Sequence, residues 1–167
     1  VVNKIDLPNA DPDKVAKEIC ELIGMDDSEI IRISAKTGKN VEAVLKAIID
    51  KVPAPSGDSS APLKALIFDS HFDPYKGVMI YIRVMEGSFS TGDRIRIMSN
   101  GMEFDIIETG VFTPEMKPTG SLSAGEVGYI AAQIKNMSDA RVGDTVTLAK
   151  DPASEPLPGY RQVHPMV

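Results

Sequence analysis

Tryptophan is missing from the 167 residues and cysteine occurs once, so no internal disulfide can staple the chain and a disulfide scaffold is excluded. Cys20 reads instead as a small apolar side chain in a reducing compartment. No apolar run approaches the ~18 residues that cross a bilayer, and no signal-peptide pattern of basic, apolar and small residues opens the chain. The chain is therefore expected to be soluble and cytosolic. A basic excess is missing too: 18 Lys plus Arg face 24 Asp plus Glu, a net charge of -6, which argues against strong non-specific binding to nucleic acid and leaves only local contacts. With 43% hydrophobic and 25% charged residues the composition is that of an ordinary globular chain, one domain or two small ones, and excludes disorder and collagen-like repeats. Val1-Val2 looks like the end of an apolar strand that starts upstream, so a piece of a longer protein is expected.

Two kinds of pattern follow one another. Asp11-Pro12-Asp13 starts a helix, with Asp11 as the cap and Pro12 at the first position, where its missing N-H costs nothing. Val15, Ile19, Leu22 and Ile23 make one apolar stripe on a 3.6-residue period, and Gly24 supplies the stop. Ile30 to Ile33 is a short β-branched strand. Asn40 caps a second helix with Val41, Val44, Leu45, Ile48 and Ile49 on its stripe, ended by Pro53. Strand, helix, strand, helix is the rhythm of a parallel α/β sheet. Residues 53–62, with three prolines and no apolar period, form a linker. Beyond it the pattern is all β: 63–69, 78–85, 93–98, 102–111, 127–134 and 144–149 are strand-length runs, with Asn100-Gly101 as a hairpin signal between two of them. Strands at this spacing predict a small closed barrel, because closure removes exposed edges. The expected organisation is thus an α/β part over 1–52, a linker over 53–62, an all-β barrel over 63–150 and a connection to a further domain over 151–167.

Chemistry concentrates in two short segments. Asn3-Lys4-Ile5-Asp6 follows the first strand end, and Ser34-Ala35-Lys36 follows the next. In a doubly wound sheet both lie at carboxyl ends of strands, where ligands bind. A carboxylate has two acceptor oxygens suited to the adjacent N1-H and N2-H donors of guanine, a pair adenine does not present, so Asp6 would set base choice. Asn3 can hold the loop and reach the base, the Ala35 N-H can meet the guanine carbonyl, and the stems of Lys4 and Lys36 can cover its two faces. Either segment alone is usually a solvated turn. Together, in this order and separated by a capped amphipathic helix, they form a candidate guanine site of Asn3, Lys4, Asp6, Ser34, Ala35 and Lys36.

These segments match the fourth and fifth guanine-nucleotide motifs of the GTPase superfamily. With Asn3 to Pro8 (NKIDLP), Asp11 to Val15 (DPDKV), Ser34 to Gly38 (SAKTG), Asp69 to Val78 (DSHFDPYKGV), Gly125 to Tyr129 (GEVGY) and Arg141 to Leu148 (RVGDTVTL), nearly the whole chain resembles the LepA, or elongation factor 4, family of translational GTPases. The resemblance implies the C-terminal part of a P-loop GTPase domain followed by a translation-factor second-domain barrel. It implies a parent that binds GTP or GDP with magnesium, hydrolyses GTP and acts on the ribosome in back-translocation or rescue of stalled ribosomes. It also carries a cytoplasmic location with peripheral contact of the parent at the inner membrane. In Arg83 to Asp93 the family reading has two glycines reversing the chain and Phe89 plugging the barrel end, with Lys76, Arg94 and Arg96 as weak phosphate contacts or solvated charges. Elongation factor G and BipA-type factors share the motifs and stay as alternatives, as does a β-barrel module that binds RNA or protein without a nucleotide.

What is missing bounds the chemistry. There is no Gly-x-x-x-x-Gly-Lys-Ser/Thr phosphate loop and no Asp-x-x-Gly segment. Gly38-Lys39-Asn40 ends like such a loop, but Ile33 stands where its first glycine belongs. No catalytic residue and no metal ligand is assigned here, and His71 and His164 are expected to be structural or on the surface. The chain alone is expected not to hydrolyse GTP. With the first strands upstream, Ile30 to Ile33 and both helices are expected to expose apolar faces.

Overall fold

The computed structural model describes residues 1–134 and 136–158. The chain divides into two compact units, Val1–Ala54 and the part that begins at Pro55. The connection expected over 151–167 falls partly, and His164 wholly, outside the described residues.

In the first unit, α1 (Pro12–Ile23) starts where the Asp11 carboxylate accepts from the Lys14 N-H at 3.0 Å, with Pro12 at the first position. It stops at Gly24, whose φ of +75° turns its N-H back to the Cys20 carbonyl at 2.8 Å. Asp27–Glu29 forms one 3-10 turn, and α2 (Val41–Lys51) follows. The strand expected over Ile30 to Ile33 is reduced to one parallel bridge between Val2 and Arg32, since Val1-Val2 offers so little to pair with. Ile30 and Ile33 are nonetheless buried, Ile30 against Val2 and Ala16, which corrects the expectation that this strand has an open face. The helices do have one: Leu22, Ile23, Leu45, Ile48 and Ile49 are all exposed. Asn40 precedes α2 as expected but does not cap it; its side-chain amide turns away from the helix.

The second unit contains β1 (Lys64–Asp73), β2 (Gly77–Glu86), β3 (Ser88–Ser90), β4 (Arg94–Ile97), β5 (Glu103–Phe112), β6 (Met116–Pro118), β7 (Ser121–Ser123), β8 (Val127–Ala132) and β9 (Thr145–Leu148). Neighbours run β4-β9-β1-β2-β8-β5, and β5 pairs with β4 again, closing a six-stranded antiparallel barrel. The six barrel strands are the six runs read from the sequence. The short β3, β6 and β7 were not expected, because three residues carry no period; β6 extends β5, and β3 pairs with β7 as a separate ribbon.

Strand alternation builds the core. In β2 the residues Val78, Ile80, Ile82 and Val84 point inward and are fully buried, meeting Ala65 and Ile67, Ile95 and Ile97, Ile106, Ile130 and Val146 from the surrounding strands. Each such side chain contributes roughly 1.5–3 kcal/mol by leaving water. Phe89 and Leu122, opposite each other in the β3-β7 ribbon, join the same core. Gly87 makes the reversal into β3 at a φ of +76°, and a Cβ there would lie 2.6 Å from the Leu63 Cα. The outward residues Met79, Tyr129 and Ala131 form a second cluster with Tyr81 and Phe112. Within it the Tyr81 and Phe112 rings meet edge-on at 4.9 Å.

The turns carry the register. The β4-β5 hairpin is where Asn100-Gly101 predicts it, but five residues, 98–102, separate the two strands, with the positive φ of +71° at Gly101 alone. Asn100 serves by its side chain, accepting from the Met102 N-H and donating to the Asp139 carbonyl, each at 2.9 Å. Residues 55–62 are stitched to the barrel: the Asp58 N-H donates to the Glu86 carboxylate at 2.7 Å, and the Gly87 N-H donates to the Asp58 carbonyl at 2.8 Å.

Candidate functional site

The Val2-Arg32 bridge fixes the site, because it sets two chain ends side by side and pointing the same way. The Val2 N-H donates to the Ile31 carbonyl at 2.9 Å, and the Ile33 N-H donates to the Val2 carbonyl at 2.8 Å. One step on, the Ile5 N-H donates to the Ile33 carbonyl at 3.2 Å. Loops 3–6 and 34–39 therefore leave from the same edge. The packing behind them is Ala16 of α1, fully buried against Val2 and Ile30. Arg32, half-buried, ties this layer to the start of α1 and to the 3-10 turn: its Nε donates to Asp13 at 3.0 Å and its Nη2 to Asp27 at 2.6 Å. The Asp27 carboxylate raises the pKa of that guanidinium further.

All six residues named from the sequence lie on these two loops, and side chains link the loops directly. The Ser34 hydroxyl, completely buried, donates to Asp6 Oδ1 at 2.6 Å and accepts from the Thr37 N-H at 3.2 Å. Asn3 Oδ1 accepts from the Lys4 N-H at 2.7 Å and from the Ala35 N-H at 3.1 Å. The Ala35 N-H, expected to face a guanine carbonyl, is thus already held by Asn3. Lys4 takes a φ of +66°, the left-handed region that few side chains favour, and this turns the chain back toward Asp6. Lys4 and Lys36 are exposed and, among the described residues, make no ion pair.

The exposed Asp6 carboxylate can accept from a planar heterocycle with adjacent N-H donors. Asp6 Oδ1 is oriented by Ser34, while Oδ2 has no hydrogen-bond donor among the described residues and Asp6 itself is exposed. One carboxylate therefore offers a positioned edge to the outside. Thr37, whose N-H orders Ser34, and Arg32 were missed in the sequence because their contributions are a backbone N-H and a tie across three elements, neither of which has a spacing signature.

On the barrel, the basic residues considered for phosphate contact are engaged with carboxylates. Lys76 pairs with Glu108 at 2.7 Å, Arg94 with Glu103 at 3.1 Å and Arg96 with Glu103 at 3.2 Å. Lys76, then the Tyr129 hydroxyl, hold the Glu108 carboxyl below its ordinary pKa. Tyr129, buried and donating to Glu108 at 2.8 Å, is pushed up to about 12 by burial and then by that carboxylate. His71 is structural, its Nδ1 2.7 Å from the Tyr81 hydroxyl.

Comparison with known proteins agrees with both units. The family model for elongation factor Tu domain 2 matches residues 77–147. Elongation factor 4 of Geobacillus thermodenitrificans is 57% identical over all 167 residues, which cover 27% of that protein. Elongation factor 4 of Lactococcus lactis is 58% identical with 28% of it covered, and that of Bacillus subtilis 54% with 27% covered, again over the full chain. The chain thus spans little more than a quarter of these relatives. Among solved structures, the apo form of translation elongation factor SelB from Methanococcus maripaludis superposes with a TM-score of 0.65 at 18% identity, over 87% of this chain and 32% of that one, a likeness of fold. These relatives carry neither the elongation factor G nor the BipA name, and a barrel-only binding module is not favoured. Identity at more than half of the positions, sustained from the first residue to the last, makes the chain similar over its whole length to one part of the elongation factor 4 proteins.

Proposed function

We infer that Asn3, Lys4, Asp6, Ser34, Ala35 and Lys36 are the base-reading half of the GTP/GDP site of a ribosome-associated translational GTPase. The observation that carries this is the pair of bonds joining the two loops, Ser34 to Asp6 at 2.6 Å and Ala35 to Asn3 at 3.1 Å. They hold one carboxylate and one backbone donor on the same edge of the unit. In this reading Asp6 accepts the guanine N1-H and N2-H, with Ser34 holding the carboxylate in plane. The Ala35 N-H, oriented by Asn3, is shared with the guanine carbonyl, and the Lys4 and Lys36 stems cover the ring. Guanine then serves only to select the nucleotide; the bound triphosphate supplies the bond whose hydrolysis drives a conformational switch.

The phosphate cradle, the magnesium ligands and the residues that order the attacking water are assigned to the part of the protein outside this chain, whose sequence holds no phosphate loop. The chain alone is therefore inactive. The parent is read as a cytoplasmic factor that uses GTP on the ribosome, in back-translocation or in rescue of stalled ribosomes, and the reading uses no membrane contact. The barrel, over 63–150, is its second domain and residues 1–52 close its GTPase domain.

The test is Asp6→Asn in the full-length protein. An amide places a donor where guanine needs an acceptor, so affinity for GDP is expected to fall about tenfold to hundredfold, while xanthosine diphosphate gains. Unchanged preference for GDP over xanthosine diphosphate refutes the assignment.

A further inference from the structure

Asn40 stands between the 34–39 loop and α2, the place from which a side-chain oxygen ordinarily caps a helix. It makes no such bond, and its φ is +58°, in the left-handed region. Its Nδ2 instead donates to the Arg32 carbonyl at 2.9 Å. The direction of that carbonyl gives the contact its meaning. Alternate residues of a strand turn their backbone groups to opposite sides. Ile31 and Ile33 use theirs on Val2, so the Arg32 carbonyl and the Ser34 N-H face the other edge. There the Ser34 N-H donates to the Lys39 carbonyl at 3.1 Å, and the Arg32 carbonyl accepts from Asn40. Residues 39 and 40 thus stand in for a neighbouring strand at this edge and close the neck of the loop that carries Ala35 and Lys36.

Resting on the reading of this loop as half of a guanine site, we propose that Asn40 is a positioning residue for base recognition: its amide locks the loop neck and thereby holds the Ala35 N-H where the guanine 6-carbonyl arrives. Few residues meet both requirements. The position needs a residue that tolerates the left-handed region and carries a donor on its γ-carbon, which asparagine supplies. Aspartate tolerates the backbone but sets an acceptor against the carbonyl. Glycine keeps the backbone and removes the donor.

The experiment uses the full-length protein, with release of fluorescently labelled GDP followed by stopped flow. Asn40→Gly is expected to speed release by about fivefold to tenfold, and Asn40→Asp by at least as much. A second measurement separates positioning from general loosening. 6-Thioguanosine diphosphate keeps the N1-H and the 2-amino group that Asp6 would accept from and replaces the 6-carbonyl with a weaker acceptor, so the preference for GDP over it should shrink in both variants. Unchanged release, or equal weakening of both nucleotides, overturns the proposal. Asp6→Asn run alongside distinguishes the failures. If it leaves guanine preference intact, the base site itself is refuted; if it moves that preference and the Asn40 variants do not shrink the GDP preference, only the loop lock is.

Discussion

At the scale of single residues, this chain uses buried polar atoms to join loops and strands rather than to do chemistry of their own. Ser34, with no exposure, has its hydroxyl donating to Asp6 and accepting from Thr37, so it is satisfied on both sides. Thr145 and Thr147 in β9 join the segment after that strand to it, accepting from the Leu157 and Ala153 N-H groups at 3.0 and 2.8 Å. Tyr129 is the residue with the clearest pH consequence. Its folded pKa of about 12 lies above the unfolded value of about 10. The protonated phenol is the form favoured by folding, so its stabilisation is fully present below pH 10 and is lost as pH rises toward 12. That loss is on the order of 2 kcal/mol. Urea titrations at pH 9 and above are expected to show stability falling in that window, and the fall should be smaller in Tyr129→Phe. Equal slopes in the two proteins would contradict the assignment. Glu108 acts with the opposite sign: its lowered pKa stabilises above the ordinary carboxyl range and the gain is lost on acidification.

At the scale of elements, the same apolar periodicity has two different outcomes. The stripe of β2 is sealed inside a closed barrel, whereas the stripes of α1 and α2 remain largely open, with Leu22 85% and Ile49 81% exposed. A side chain contributes through the water it loses, so the two should respond differently to truncation. Ile82→Ala is expected to cost about 2–4 kcal/mol in chemical denaturation of this chain. Ile49→Ala is expected to stay within about 0.5 kcal/mol. A large cost at Ile49 would mean that α2 is covered in solution. The elements most legible in the sequence were those with an end signal as well as a period, such as α1 between Asp11-Pro12 and Gly24. The strand at Ile30–Ile33 was legible as apolar but not as a single bridge, because pairing depends on the neighbour.

At the scale of the whole molecule, each unit builds its own core, and the candidate site belongs to the first. Its two loops, 3–6 and 34–39, are held from within that unit, by Val2, Ala16, Ile30 and Arg32. Phosphates contribute much of the electrostatic affinity of a nucleotide, and no phosphate loop accompanies these loops in the sequence. The isolated chain is therefore expected to show no GTP hydrolysis and no GTP binding in the micromolar range by titration calorimetry; micromolar binding would show that the phosphates are held by residues within this chain. The sequence by itself determined the order of the two helices and the six barrel strands, since caps, glycine stops, the 3.6 and 2.0 periods and the Asn-Gly turn act between residues close in the chain. It also determined which six residues form the candidate site, because each loop carries its own donors and acceptors. Only the tertiary structure decided that Ser34 binds Asp6 across 28 residues, that Asn40 abandons its helix for the Arg32 carbonyl, and that the barrel closes through β4 and β5. These are contacts between distant segments, whose geometry depends on the direction of backbone groups and the register of neighbouring strands, and no local pattern of side chains encodes either.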